Sequence, residues 1–238
     1  HQPRRQRQMC IRDSDDTVFV KAVVFDNEIT KAAYVSMDLL IVPPNLDHEK
    51  ILDQLSFEVD NLYLTASHTH SSIGGYLEGL AGKIFGGEYS ENILEFITNK
   101  TILALEEAYY NKEKSKIGYG RIYASNFVTN RLVGDSIGTY DPFIRLIKIN
   151  TESGKNAAIF SYAAHATCYG HKQRDLSGDY PGTLTSMLEM TREIDFAVYG
   201  AGAVGSMSPR TKSVEGEKRV KEISYGLFEK IYEGFRIM

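Results

Sequence analysis

Two histidines two residues apart, His68 and His70, stand where an apolar run ending Leu64-Thr65-Ala66 gives way to Ser71-Ser72-Ile73-Gly74-Gly75-Tyr76. On a strand, residues two apart share a face. Both imidazoles can therefore aim at one spot at the strand's end, and the small glycine-bearing turn leaves room beside them. Imidazole is the commonest metal ligand and a general base near neutral pH. By themselves the residues leave two readings open, a metal or catalytic site or two hydrogen-bonded polar residues. A third histidine, His165, closes a second run, Ser161-Tyr162-Ala163-Ala164, and small neighbours (Ala164, Ala166) let another group approach its ring. Further on, Leu176-Ser177-Gly178-Asp179-Tyr180-Pro181-Gly182 reads as a tight turn into a helix. If both strand ends share one sheet edge, His68, His70 and His165 converge, with Asp179 as a carboxylate neighbour. Three nitrogens plus a carboxylate or water suit zinc, and a catalytic zinc keeps one position open. Taken alone, His165 also fits a buried, hydrogen-bonded histidine. His171, in a polar stretch, reads as a surface residue, and His48 opens a helix.

The elements that must deliver these residues follow from periodicity. Alternation predicts a hairpin of strands at 18–25 and 32–37, and further strands at 61–67, 116–124, 143–149, 157–163 and 196–199. Helical spacing predicts helices at 47–59, 89–111, 181–191 and 215–232. Pro181 near a first turn suits a helix start. Strands interspersed with helices predict an α/β or α+β domain with at least one mixed sheet.

Composition narrows the function classes. The chain of 238 residues is 42% hydrophobic, enough for one good core or two lobes. With a net charge of -4 and no basic patch interleaved with aromatics, nucleic acid is not an expected partner. No apolar run reaches the length of a membrane span. Cys10 and Cys168 lie too far apart in sequence for a metal pair or a disulfide framework. Residues 1–14 are basic, lack the apolar stretch of a signal peptide, and read as a tail or artefact outside the fold, which begins at 15.

One motif points elsewhere. Gly200-Ala201-Gly202-Ala203-Val204-Gly205 follows a strand and spells the glycine pattern of dinucleotide binding, which presents a helix N-terminus to a pyrophosphate. Yet Ser206-Met207-Ser208-Pro209 occupies the place of the helix, and no second strand with a terminal acid follows. The other reading is a small-residue turn that exposes Ser206 or Ser208 and presents backbone N–H groups, able to supply a nucleophile or stabilise an oxyanion.

In order along the chain, these pieces resemble the N-terminal catalytic domain of the neutral/alkaline, non-lysosomal ceramidase family. Its pattern is T-H-T-H-S-G-P-G-G-Y, an N-R pair, H-G-T, S-G-D with an aromatic, and G-D-V-S-P. Here stand Ser67-His68-Thr69-His70-Ser71-Ser72-Ile73-Gly74-Gly75-Tyr76, Asn130-Arg131, His165-Ala166-Thr167, Ser177-Gly178-Asp179-Tyr180 and Gly205-Ser206-Met207-Ser208-Pro209. The resemblance implies that His68 and His165 bind zinc, that His70 and Arg131 line the pocket beside the scissile amide, and that Ser208 is the serine nucleophile. It places Gly75, Tyr76 and Asp179 among substrate-binding residues. It implies hydrolysis of the N-acyl amide of ceramide or a related lipid amide to a fatty acid and an amine, and a secreted or extracytoplasmic setting. A substrate drawn from a membrane surface needs an apolar rim, for which Ile73, Tyr76, Leu77, Leu80 and Phe85 are candidates. Whether water or Ser208 attacks is left open by sequence, as is a related metallohydrolase of another small amide or ester. The chain departs from the pattern at Ser72-Ile73 (Gly-Pro in the family), Ser206 (aspartate) and Arg210 (asparagine), changing the pocket rim and the charge beside Ser208. The resemblance also implies a glutamate and a tyrosine zinc ligand beyond Met238, so the expectation is a catalytic unit of which 15–238 form one part.

Overall fold

The computed structural model describes residues 17–170 and 175–238. The tail at 1–14, Cys10 and His171 lie outside the described residues. Strands β1 (Val20–Asp26) and β2 (Lys31–Met37) form the expected hairpin, closed by an Asn27 side chain that accepts from the Ile29 and Thr30 amides. Helix α1 (His48–Asp53) then crosses over to β3 (Asn61–Ala66), which lies parallel to β2. Helices α2 (Gly79–Gly86) and α3 (Glu91–Tyr110) follow. The second half carries β4 (Ser115–Tyr123), β5 (Val128–Asn130), β6 (Phe143–Thr151), β7 (Asn156–Tyr162), α4 (Asp179–Glu189), β8 (Phe196–Ala201), β9 (Met207–Pro209) and α5 (Glu217–Ile237).

Two mixed sheets result, ordered β1-β2-β3 and β4-β6-β7-β8, with β5 and β9 paired as a short antiparallel ladder. Side-chain alternation stacks them into four layers. One face of the first sheet (Ala33, Val35, Met37) packs with Ile97 and Leu105 of α3. Its other face (Val23, Phe25, Tyr34) meets Ile149, Ile159 and Val198 of the second sheet. The far face of the second sheet (Leu146, Ala158, Phe160, Ala197) is covered by Leu184 and Leu188 of α4 and by α5. Helix α5 presents Val220, Ile223, Leu227, Ile231 and Phe235 as its buried stripe, a spacing of three and four residues that keeps one helical face inward. Each such side chain is worth about 1.5–3 kcal/mol when fully buried.

The mixed α/β class holds, with differences that have local causes. The helix expected to reach residue 59 stops at Asp53. Beyond it, Ser56 bonds Glu106 through both its amide and its hydroxyl, and Phe57 stacks on Tyr109, so α3 draws the segment out of helical register. Short α2, β5 and β9 fall below the length at which periodicity is visible. The glycine pattern at 200–205 precedes β9, not a helix, and the next helix begins at Glu217. Two of its three glycines answer to packing: a Cβ on Gly200 would lie 2.1 Å from the Tyr34 hydroxyl, and one on Gly202 3.1 Å from the Tyr162 carbonyl oxygen. The dinucleotide reading therefore lacks its helix.

Candidate functional site

The two crossovers β2-α1-β3 and β7-α4-β8 bring two parallel strand pairs into the molecule, and the histidines follow the carboxyl ends of β3 and β7. Ligand sites in open α/β sheets form at such ends. Strand β3 stops at Ala66, so His68 and His70 do not share a strand face as expected. A turn aims them instead: His68 adopts φ 62, in the left-handed region. Its Nδ1 donates to the Leu40 carbonyl at 2.6 Å, which fixes the ring. His165, 5% exposed, donates from Nδ1 to the Val204 carbonyl at 3.0 Å. The Nε2 atoms of His68 and of His70 each lie 3.0 Å from His165 Nε2, and the three rings offer ligand atoms all within 4.8 Å of one another.

This geometry tests whether a metal fits. A carbonyl can only accept, so Nδ1 of both His68 and His165 carries the proton, and in the neutral rings both Nε2 atoms are lone pairs facing each other. Two lone pairs at that separation repel unless a cation or a shared proton lies between them. A shared proton is disfavoured: burial lowers the pKa of His68 and of His165, with the charge of Arg131 adding to the effect. His70 is pushed down to about 4, by burial first and then by His165, His68 and Arg131. Two nitrogens bound to one metal at about 2.0–2.1 Å sit about 2.9–3.4 Å apart for angles between right and tetrahedral. The donor set therefore fits a metal that takes nitrogen ligands.

The 202–205 turn supplies carbonyls rather than N–H groups to the site. Val204 O receives His165, and Gly205 O receives the Arg131 guanidinium through Nε at 3.0 Å and Nη2 at 2.8 Å. Arg131 N also donates to Ser206 O at 2.9 Å. Arg131 is exposed, and its charge reaches all three histidines. Ser208 sits half-buried on β9 opposite Thr129, its hydroxyl making one long contact, 3.4 Å to the Pro209 carbonyl. Beside it, Arg210 pairs with Asp135, whose carboxylate also accepts from Asn130 N.

Three residues from the resemblance lie deeper. Asp179 is 1% exposed and adopts φ 53. Its carboxylate accepts from the amides of Cys168 (2.9 Å), Tyr169 (3.2 Å) and Tyr180 (2.6 Å), so it anchors the loop after His165 and does not join the histidines. Burial raises its pKa and these donors pull it back. Tyr76 is 1% exposed in the core beside α3 and approaches Ile41 N, and burial raises its pKa. Gly75 has φ 81, and a Cβ there would meet Ile93 at 2.7 Å. Its amide and carbonyl tie the loop to Gly86 and Ser90. Of the expected apolar rim, Leu80 and Phe85 are each 76% exposed, joined by Ile84. The carbonyls of Leu40, Val204 and Gly205 carry no signal in sequence.

Residues 15–224 match the family model described as neutral/alkaline non-lysosomal ceramidase, N-terminal. Neutral ceramidase A of Dictyostelium discoideum is 24% identical over 221 residues, covering 81% of this chain and 31% of that protein. A crystal structure of neutral ceramidase from Pseudomonas aeruginosa aligns with 85% of this chain and 36% of its own, at 23% identity and a TM-score of 0.74. A ceramidase complexed with C2 aligns with 93% of this chain and 42% of its own, at 20% identity and a TM-score of 0.78. The two structures share the fold. The chain thus spans less than half the length of each of these relatives.

Proposed function

The chain belongs to the neutral/alkaline non-lysosomal ceramidase family, and from that membership we propose that it acts within a zinc-dependent amidohydrolase cleaving the N-acyl bond of ceramide or a related lipid amide. The observation that supports it is the meeting of His68 and His165, ring nitrogens 3.0 Å apart with their other nitrogens committed to carbonyls. That arrangement would suit a cation, for which His68 and His165 would be the nitrogen ligands. Zinc so held supplies a Lewis acid for the amide carbonyl and for an attacking oxygen.

The chain's own residues supply the rest. His68 and His165 would hold the cation, each locked in one tautomer by Leu40 O and Val204 O. His70, at the exposed rim and neutral near pH 7, takes or returns a proton at a ring nitrogen. Arg131, braced by two bonds to Gly205 O, turns its positive charge toward the developing oxyanion. Ser208 offers a lightly held hydroxyl as nucleophile. The exposed Leu80, Ile84 and Phe85 on α2 form the rim that meets acyl chains or a membrane surface, in an extracytoplasmic setting.

Zinc content of the full natural chain, measured beside His68→Ala and His165→Ala, together with turnover of an N-acylsphingosine, tests the proposal. About one zinc per chain, lost with turnover in both variants, is the expected result. A folded protein that retains amide turnover without zinc overturns it.

A further inference from the structure

Like Arg131, a second arginine gives its hydrogen bonds to neutral oxygens. Arg219 is the third residue of α5, half-buried. Its Nη1 donates to the Thr167 carbonyl at 3.1 Å, its Nη2 to the Pro209 carbonyl at 2.9 Å and its Nε to the Thr211 hydroxyl at 3.1 Å. Among the described residues it forms no ion pair. Thr167 lies two residues after His165 and donates its amide back to the His165 carbonyl at 2.8 Å. Pro209 follows Ser208 directly on β9. One planar fork therefore spans the loop that carries a zinc-ligand histidine and the strand that carries the serine. The helix beneath is fixed by Val220, Ile223 and Leu227 in the core.

We propose that Arg219 is a positioning residue that sets the separation of His165 and Ser208 by holding the carbonyls of Thr167 and Pro209 on one guanidinium. The physical reason is geometric. A guanidinium presents several N–H groups in a rigid plane, whereas an ammonium on a flexible stem cannot reproduce the fork. Neither segment is otherwise joined to the other by strand pairing: β9 pairs with β5, and the 165–169 loop lies beyond the end of β7. The hydrolase reading of the same site underlies the catalytic part of this proposal. A displacement of about an ångström between catalytic groups costs on the order of 10²-fold in rate.

Arg219→Ala and Arg219→Lys in the full natural chain test it, with thermal midpoint, zinc affinity by chelator competition, steady-state kinetics and amide hydrogen exchange measured on each. In Arg219→Ala the expected result is a fall in kcat of about tenfold to a hundredfold with KM within about twofold. Faster exchange should be confined to 165–169 and 207–211, and millimolar methylguanidinium should restore part of kcat. Arg219→Lys should lie between the two. A kcat loss that tracks a global fall in thermal midpoint, with exchange raised throughout and no rescue by methylguanidinium, overturns the proposal, as does unchanged kcat with unchanged exchange. If the wild-type chain shows no zinc-dependent amide turnover, the hydrolase reading fails on its own, and the exchange pattern with zinc affinity still decides whether Arg219 holds the two segments.

Discussion

The loop after β3 and the loop after β7 both turn a strand end into an imidazole, and they do so by opposite means. The first aims its rings by backbone conformation. His68 stands in the left-handed region and His70 remains at the rim. A non-glycine residue there costs about 1–3 kcal/mol and persists only where its surroundings over-determine it; the Leu40 carbonyl, which fixes the His68 ring, is part of that surrounding. Among its described residues from 163 to 170 the second loop has no positive φ, and it is held from outside. Asp179 takes the Cys168 and Tyr169 amides, Gly216 N donates to Cys168 O, and Arg219 takes Thr167 O. One histidine is held by a strained turn, the other by a socket. The turn at 177–179 joins the two, since Thr69 donates its hydroxyl to Ser177 O and Ser177 N donates to Ser71 O.

The sharpest test of that pairing is whether both loops serve one centre. His68→Ala and His165→Ala should each abolish zinc binding and lower amide turnover by about 10³-fold or more, because a metal supplies several kcal/mol of transition-state stabilisation. Elemental analysis with turnover reads both. Zinc retained in one variant would assign the centre to a single loop and break the comparison. Next in size is the cost of the socket. Asp179→Ala leaves two buried N–H groups and one half-buried without their acceptor and should destabilise the chain by about 3 kcal/mol. Thr69→Val removes two hydroxyl bonds, one to Ser177 O and a longer one from Ser71 N, and should cost about 1–2 kcal/mol. Denaturant unfolding of both variants measures the asymmetry, and equal losses would erase it.

Acidity gives a smaller effect with a definite sign. In the metal-free chain all three histidine pKa values lie below 6.5, with His70 at about 4. Between those limits the unfolded chain binds protons that the fold excludes, so these histidines should lower stability as pH drops from about 6.5 toward 4. Side-chain NMR titration should show His70 titrating last of the three on acidification. A His70 that titrates near 6.5 would place the ring in solvent, apart from the other two.

How much of this was legible in sequence differs between the loops. The strand ends were visible because Leu62 to Ala66 and Ala157 to Ala163 are largely apolar runs that break at Ser67 and at Ala164-His165, and the convergence of His68, His70 and His165 followed from supposing a shared sheet edge. The means of convergence was hidden. The strand-face argument for His68 and His70 fails because the strand ends at Ala66, and a left-handed histidine has no sequence mark. The Val204 and Gly205 carbonyls were hidden for a different reason: any residue offers a carbonyl, so contacts from 165 to 204 and from 131 to 205 leave composition unchanged. The glycines at 200 and 202 were visible, but their letters describe phosphate loops and tight sheet packing equally. The strand that follows in place of a helix, and the Tyr34 hydroxyl lying over Gly200, separate the two.

The smallest expected effect isolates strain from burial. Asparagine is among the residues that tolerate the left-handed region and can hydrogen-bond locally. At position 68 of the metal-free chain, His68→Asn should therefore change stability by no more than about 0.5 kcal/mol, the lost Leu40 bond being offset by easier backbone geometry. At position 165 the backbone gains nothing. His165 is 5% exposed, and His165→Asn leaves a void and a Val204 carbonyl that must find another donor. That should cost about 1–3 kcal/mol. Urea unfolding of the two variants without metal compares them directly. If His68→Asn is the more costly, the first loop is held by its ring contacts rather than by a strained backbone, and the contrast between turn and socket is lost.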